Sequence, residues 1–279
     1  MSDSQPLRSN SRGANSERKS VMKWTEIPSG QTHRAFNTLM NAFGDRADAI
    51  VERINADEAV APRVATLCYH NGYEPSVSQA KAREIMGKNF IGIEEAQKHF
   101  GVAFSKRQLA YMAEIPFSEE VLNECKDTHI LVAYAPMAIV AVRAKTASVK
   151  LPAKHRMFYQ QDWYDNNEVG NGAGALEWHL VRKTSVPDSK SKTWQEQQDL
   201  LDSKIDETPE ANVMVYTIIG HFLNTGERLF EKEYVRTRTL DSDGTRVYVG
   251  HFDSDGLNVF DCWVDRRFDD IGLSAARKQ

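Results

Sequence analysis

The architecture of this chain is most readily inferred from residues 231–278, EKEYVRTRTLDSDGTRVYVGHFDSDGLNVFDCWVDRRFDDIGLSAARK. Short runs of apolar and aromatic residues alternate here with two Asp-Ser-Asp-Gly sequences, at 241–244 and 253–256. Runs of this length, bounded by Asp and Gly, are typical of antiparallel strands joined by tight turns. The sequence therefore predicts a set of short hairpin strands in this part of the chain.

The composition of this stretch is unusual because four residue types are missing from most of it. Met, Lys, Gln and Glu together occur 53 times in residues 1–233 and not once in residues 234–277. At the upstream frequency, about 10 would be expected there. Strands and turns disfavour Lys and Glu, but that preference does not account for the loss of Met and Gln.

The genetic code offers an explanation for this absence. Met, Lys, Gln and Glu are, with Trp, the residues that no codon ending in a pyrimidine encodes. A segment whose varied codons all descend from AAC or AAT by replacement of adenines would lack them at every varied position. It would instead hold the Tyr, His, Phe, Asn, Asp, Cys, Val, Arg and Ser residues that crowd this span. Trp263 would then be an unvaried residue of the scaffold.

Residues 247–277 resemble the variable region of the target proteins of diversity-generating retroelements. The resemblance rests on Trp263, on Arg267 and on the run at 271–277, IGLSAAR, which is similar to a Gly-hydrophobic-x-x-Ala-Arg close. The family implies a C-type-lectin-like fold and a macromolecular ligand, often a protein. It also implies a reverse transcriptase and a template repeat near the gene.

Strand alternation and this resemblance together predict which residues face outward and bind ligand. Alternation places Val247 and Val249 on one face of the sheet and Tyr248 on the other. In the same way, it places Leu257 and Val259 on one face and Asn258 and Phe260 on the other. Exposed aromatic and Arg side chains dominate binding hot spots. The predicted ligand-binding positions, in a variable region of about 246–271, are Tyr248, His251, Asn258, Phe260, Asp261, Cys262, Val264, Arg266, Phe268, Asp269 and Asp270.

The rest of the chain is expected to contain a tail and a helical domain. Residues 1–22 are rich in Ser, Asn and Arg with little apolar content, which predicts a disordered tail. Apolar residues recur at helical spacing from Phe36 to Ile54, and a helical domain is expected over residues 23–127. The expected fold class is α+β, with a C-type-lectin-like domain of short antiparallel strands and two helices over residues 128–279.

Within that second domain, individual elements can be predicted. The apolar runs at 130–135 and 138–143 predict strands, as does the run at 178–183. A short amphipathic helix is predicted at 193–201. A second, buried helix is expected to follow residues 208–210, Thr-Pro-Glu, which provide a cap, a proline and an acidic first turn.

Composition and charge limit the possible partners. A formal net charge of −4 with 27% charged residues is not typical of nucleic-acid binding. No apolar run is long enough to predict a membrane span, and no signal-peptide pattern follows the first residue, so a cytoplasmic location is expected by default, with surface display by another route left open. Cys68, Cys125 and Cys262 have unrelated spacings, which predicts neither disulfides nor a zinc site.

Three functions are compatible with these features. The favoured hypothesis is a non-enzymatic protein that binds ligand through a hypervariable surface. An enzyme of the formylglycine-generating type, which shares the fold superfamily, would use Cys262 but requires a partnered cysteine site. The third alternative is an interaction module without diversification. The Asp-Ser-Asp-Gly runs lack the further oxygen ligands of a calcium loop, so turns are predicted, and no metal or cofactor is expected.

Overall fold

The computed structural model describes residues 29–57 and 75–279. The chain divides into two units, one ending at Cys68 and one beginning at Tyr69. The disordered tail predicted for residues 1–22 lies outside the described residues.

The described part of the first unit consists of two helices. They are α1 (Ser29–Phe43) and α2 (Ala47–Ala56), and they replace the continuous helix predicted from the apolar spacing. A 3₁₀ turn at Gly44–Arg46 separates them, and Gly44 adopts a φ of 56° there. A left-handed conformation ends an α-helix, so the first helix stops before Gly44. The apolar spacing in the sequence nevertheless continues across this break.

The second unit is a mixed α/β structure with two small sheets. Its helices are α3 (Val77–Met86), α4 (Ile93–Phe100), α5 (Lys106–Tyr111), α6 (Glu119–Cys125), α7 (Ile139–Thr146), α8 (Glu168–Asn171), α9 (Trp194–Gln198) and α10 (Ala211–Thr225). Its strands are β1 (Phe90–Ile91), β2 (His129–Tyr134), β3 (Glu177–Arg182), β4 (Asp206–Glu207), β5 (Tyr234–Leu240), β6 (Arg246–Asp253), β7 (Gly256–Cys262), β8 (Ile271–Leu273) and β9 (Ala276–Arg277). The strand orders are β1-β2-β3-β9-β4 in the first sheet and β7-β6-β5-β8 in the second.

Helix α10 lies at the centre of the main apolar core. Every residue from Ala211 to His221 is buried, and the helix packs against β2, β5 and β6. It ends at Gly226, whose φ of 78° lets its N–H donate to the Phe222 carbonyl at 2.7 Å. Each large aliphatic side chain buried in this way contributes about 1.5–3 kcal/mol to folding. The prediction of a buried helix at this position is confirmed.

Strand β2 explains why the predicted domain boundary at 127/128 does not coincide with the division of the structure. Ile130 and Val132 face the core around α10, whereas Leu131 and Ala133 face a second apolar cluster formed with α3 and α6. Helices α3 to α6 therefore belong to the same unit as the sheet. A helical pattern shows that one face is apolar, but it does not show which surface that face covers.

Two predictions about secondary structure in residues 128–279 are wrong. The run at 138–143 was expected to be a strand, but it forms most of α7, which buries Ile139, Val142 and Thr146. These residues recur at steps of three and four, a periodicity that a six-residue apolar run is too short to reveal. Two helices were also expected in this region, whereas the structure of residues 128–279 contains four, α7 to α10.

The two Asp-Ser-Asp-Gly sequences form hairpin turns. The carboxylate of Asp241 accepts hydrogen bonds from the backbone N–H groups of Asp243 and Thr245, both at 2.9 Å. That of Asp253 accepts one from the N–H of Asp255 at 2.8 Å. These carboxylates thus stabilise their own turns. Within residues 29–57 and 75–279, no three His, Cys, Asp or Glu side chains are grouped so that they could hold a metal ion.

The C-terminal strands join the two sheets. Strand β8 pairs in parallel with β5 in the second sheet, and β9 pairs with β3 and β4 in the first. Residues 271–276 are buried throughout. A Cβ added at Gly272 would lie 2.5 Å from the Cβ of Ser185, so glycine is required where this segment crosses the loop after β3. Among the described helices, none combines the length and apolar character that crossing a membrane requires.

The stability of the first sheet is expected to depend on pH through His129. Burial, and to a smaller extent the positive charges of Arg182, Arg277 and Lys183, together lower the pKa of this imidazole to about 4. The unfolded chain, with an ordinary pKa near 6.5, binds the proton more readily than the folded chain between pH 6.5 and pH 4. The contribution of His129 to stability is therefore complete above pH 6.5 and is lost as the pH falls through this window.

His129→Gln should make the pH dependence of the unfolding free energy shallower by up to about 1.4 kcal/mol per pH unit between pH 6.5 and pH 4. Urea unfolding at a series of pH values measures this difference. His155→Gln, at an exposed histidine, is the matched control and should keep the slope of the unaltered protein. Equal slopes in His129→Gln and the unaltered protein would contradict the account.

Candidate ligand-binding face

The inner face of the second sheet is uniformly aliphatic. Val235 on β5, Val247 and Val249 on β6, and Leu257 and Val259 on β7 are fully buried. They pack in the same apolar core as α10. Because side chains alternate across a strand, the residues between them lie on the opposite, outer face of the sheet.

An aromatic row crosses this outer face. It consists of Tyr159, Phe260, Tyr248, Tyr234 and His251. Successive ring centroids lie 6.5, 6.2, 5.0 and 4.7 Å apart along this series. The sequence pattern predicted three of the five, Tyr248, His251 and Phe260, and the structure brings these three together on one face.

A β-bulge turns His251 into the aromatic row. The pairing of β6 with β7 changes register between Gly250 and Asp253, and His251 adopts a φ of 46°. Gly250 has a φ of 151°, and a Cβ there would lie 2.2 Å from the carbonyl oxygen of Glu233. With the bulge in place, Phe252 is buried on the inner face while His251 stacks on Tyr234 at an interplanar angle of 24°.

Two members of the row, Tyr159 and Tyr234, were not predicted. Tyr159 reaches the face because its N–H donates to the Leu257 carbonyl at 3.0 Å, an interaction between residues distant in sequence. No local pattern reveals that pairing. Tyr234 could have been found, because it is the first residue of the span without Met, Lys, Gln or Glu and it lies on β5.

A loop covers one end of the outer face and is held by a buried arginine. This loop comprises residues 263–270, between β7 and β8. Arg236, with 0% of its surface exposed, lies two residues after Tyr234 on β5. Its Nη2 donates to the Arg266 carbonyl at 2.6 Å and approaches Cys262 Sγ at 3.6 Å. Its Nη1 donates to the Lys192 carbonyl at 2.9 Å and to Gln197 Oε1 at 3.0 Å.

These neutral acceptors are necessary because a buried guanidinium is costly unless it is hydrogen-bonded. Two of them, Lys192 and Gln197, belong to the segment that leads into and forms α9, and one belongs to the loop 263–270. The charge of Arg236 therefore ties the loop to α9. Gln197 extends the connection, since its Nε2 donates to the Ile271 carbonyl at 3.2 Å at the end of the loop.

The loop backbone makes further hydrogen bonds to the segment around α9. The N–H of Trp194 donates to the Val264 carbonyl at 2.8 Å, and the N–H of Ser191 donates to the Phe268 carbonyl at 2.7 Å. Arg267 forms an ion pair with Glu196, with 2.7 Å between Nη2 and Oε1. The loop is thus fixed through its main chain and Arg267, which leaves its other side chains free to differ.

The remaining predicted positions lie on the loop or beside the aromatic row. Val264, Arg266, Phe268 and Asp269 are exposed on the loop. Asp261, Cys262 and Asp270 are half-buried at its two ends. The Thr245 hydroxyl donates to the carboxylate of Asp261.

One expectation about side-chain placement, that of Asn258, is wrong. Asn258 is 7% exposed, and its Nδ2 donates to the His251 and Gly256 carbonyls at 3.1 and 3.2 Å, so it stabilises the hairpin instead of facing solvent. Trp263, which was expected to be an unvaried scaffold residue, is 55% exposed. Trp263 is the first residue of the loop, and the loop is held through hydrogen bonds to its own main chain.

Two tyrosines of the outer face have raised pKa values, chiefly because they are half-buried. Burial raises the pKa of Tyr248, and Cys262, Tyr234, Asp261 and Asp270 raise it further. Burial also raises the pKa of Tyr234, with added effects from Asp270 and Asp253. Burial and negative charge both oppose ionisation of a phenol, so both rings stay protonated at neutral pH.

Comparisons with known proteins yielded no match. No family model, no curated protein and no solved structure corresponds to this chain.

The exposure of Trp263 leads to a prediction about stability. Trp263→Ala should change the free energy of unfolding by less than about 1 kcal/mol, because the ring buries little surface. Phe252→Ala, at a fully buried ring on the neighbouring hairpin, should cost about 3–5 kcal/mol. Urea unfolding of both variants measures the two costs. The opposite ranking would place Trp263 in the core and contradict the structure.

Proposed function

We propose that this protein binds a macromolecular ligand, and specifically another protein, through a surface diversified from a retroelement template. The domain that carries the surface, residues 128–279, is proposed to be C-type-lectin-like. The ligand-binding residues are the outer-face and loop positions predicted from the sequence, without Asn258. The protein acts by binding and does not catalyse a reaction.

One observation carries this proposal. Ten of the eleven positions predicted to vary are exposed or half-buried, and they belong to the strands of one sheet and its adjoining loop. The intervening aliphatic residues of the same strands are fully buried. Variation at the ten positions would therefore alter the chemistry of the surface with little effect on the core. That separation is what a diversified binding protein requires.

The chemistry of the face also favours binding. Aromatic side chains bury large areas at a low cost in conformational entropy, and they are the residue types that dominate binding hot spots. The ten positions supply aromatic rings at Tyr248, Phe260 and Phe268 and a guanidinium at Arg266. A formal net charge of −4 disfavours nucleic acid as the ligand.

The enzymatic alternative has less support. Its one candidate nucleophile, Cys262, is half-buried at the end of β7 and contacts Arg236. The other free cysteine of the described residues, Cys125, is buried in the apolar cluster between α6 and the first sheet. A formylglycine-generating site needs a partnered cysteine, and these two cysteines belong to different parts of the unit.

The DNA that flanks the gene provides the test of diversification. We expect a near-copy of codons 246–271 in which the mismatches fall at adenines. They should occur mainly at Tyr248, His251, Phe260, Asp261, Cys262, Val264, Arg266, Phe268, Asp269 and Asp270. Codons of the buried aliphatic residues, and those of Trp263 and Arg267, should match, as should those of Gly272 and Arg277 where the copy continues past codon 271. Sequencing the locus measures this.

Two results would contradict the proposal. One is a locus without such a repeat. The other is a repeat whose mismatches are spread over all four bases or fall as often at Val247, Val249, Leu257 and Val259 as at the outer positions.

A further inference from the structure

We propose that a cleft beside the outer face receives a large apolar side chain of the protein ligand, next to an acidic residue of that ligand. The cleft lies between the end of α7 and residues 155–161, and its volume is about 610 Å³. Ligand sites typically have volumes of about 300–1,000 Å³. The inference rests on the proposed binding function, and it identifies a part of the binding surface that diversification would leave constant.

The walls of the cleft are fixed by contacts between elements that are far apart in sequence. On one side, the N–H of Leu257 donates to the Met157 carbonyl, and the N–H of Tyr159 donates to the Leu257 carbonyl, both at 3.0 Å. On the other side lies α7, whose Arg143 joins the two walls because its Nη1 donates to the Gln161 carbonyl at 3.0 Å. The cleft is therefore formed before a ligand binds, which lowers the entropic cost of binding.

The floor of the cleft is apolar. Met157 and Phe158 line it and are each 7% exposed, and both belong to the main apolar core. Val149 and Leu151 also line it and are half-buried against the same core. An apolar floor with a few polar groups at the rim is the usual composition of a binding site. A large apolar side chain seated there would bury surface on a support that is already rigid.

The charges at the rim favour an acidic ligand. Among the described residues that line the cleft, Asp165 is the only acidic one, and its Oδ1 lies 2.6 Å from Arg143 Nη2. Arg156 is exposed, and its Nη1 donates to the neutral Gln160 Oε1 at 2.9 Å. Within the described part of the chain, Arg156 has no acidic partner. Its positive charge is therefore available to an acidic residue of the ligand.

Tyr159 makes the cleft continuous with the aromatic row. It lines the cleft, it is 41% exposed, and its ring centroid lies 6.5 Å from that of Phe260. A ligand that contacts the aromatic row can therefore reach the cleft along one surface.

The cleft lies outside the span that lacks Met, Lys, Gln and Glu. All of its lining residues precede residue 234, and they include Met157, Gln160 and Gln161, types that the varied codons do not encode. Sister copies would thus share the cleft while their outer faces differ.

The test uses the full-length protein and three pentapeptides with acetylated and amidated ends: Gly-Asp-Trp-Asp-Gly, Gly-Asp-Ala-Asp-Gly and Gly-Lys-Trp-Lys-Gly. Binding is followed by NMR of ¹³C-methyl methionine, with assignments from Met157→Leu and Met214→Leu. The acidic tryptophan peptide should shift the methyl resonance of Met157 and leave that of Met214, on the buried face of α10, unchanged. Its Kd should be at least about tenfold lower than that of the alanine peptide and about threefold lower than that of the lysine peptide.

Two matched pairs of variants locate the site. Ala147→Trp places a ring in the cleft and should raise the Kd of the acidic tryptophan peptide at least about tenfold, whereas Ala144→Trp, at an exposed alanine of α7 that does not line the cleft, should change it less than about twofold. Arg156→Gln should bring the Kd values of the acidic and lysine tryptophan peptides within about twofold of each other. Arg107→Gln, at an exposed arginine of α5, should keep the difference. If Ala147→Trp fails to fold, the arginine pair and the peptide series still decide.

Four results would overturn the inference. They are equal affinities for the tryptophan and alanine peptides, equal affinities for the acidic and lysine peptides in the unaltered protein, equal losses in Ala147→Trp and Ala144→Trp, and an unshifted Met157 methyl resonance. None of these results concerns the template repeat, so the failure of this inference is distinguishable from the failure of the proposed function.

Discussion

The outer face of the second sheet depends on the burial of one charge, the guanidinium of Arg236. A buried cation must be hydrogen-bonded, and Arg236 obtains its acceptors from the loop 263–270 and from the segment around α9. The loop is therefore drawn onto the sheet and held there. Because its acceptor in the loop is the backbone carbonyl of Arg266, the constraint on the loop acts through the main chain.

This constraint separates the residues that fix the structure from those that display chemistry. Gln197, Glu196 and the backbone at Ser191 hold the loop from a segment that precedes the span without Met, Lys, Gln and Glu. A carbonyl is present whatever the side chain, so positions such as Val264, Arg266 and Phe268 can change without loss of these hydrogen bonds. The same logic applies on the strands, where the aliphatic inner residues form the core and the outer residues do not contribute to it.

Much of the second sheet could be predicted from the sequence because strand alternation is a local property. The burial of Val247, Val249, Leu257 and Val259 follows directly from it. Tyr159 could not be predicted, because it reaches the face through pairing with a distant strand. Asn258 was misplaced for a different reason: alternation gives the side of a strand on which a residue lies, but not the hydrogen bonds that the residue makes within a hairpin. The helix α7 and the extent of the second unit depend likewise on packing between elements far apart in sequence.

The central claim is that the ten outer positions can vary while the fold persists. The most direct measurement randomises the adenines of AAC codons placed at these positions and determines the fraction of library members that resist proteolysis. A matched library carries the same codons at Val235, Val247, Val249, Leu257 and Val259. The account predicts that most members of the outer library are resistant and that nearly all members of the inner library are cleaved. Equal fractions in the two libraries would contradict it.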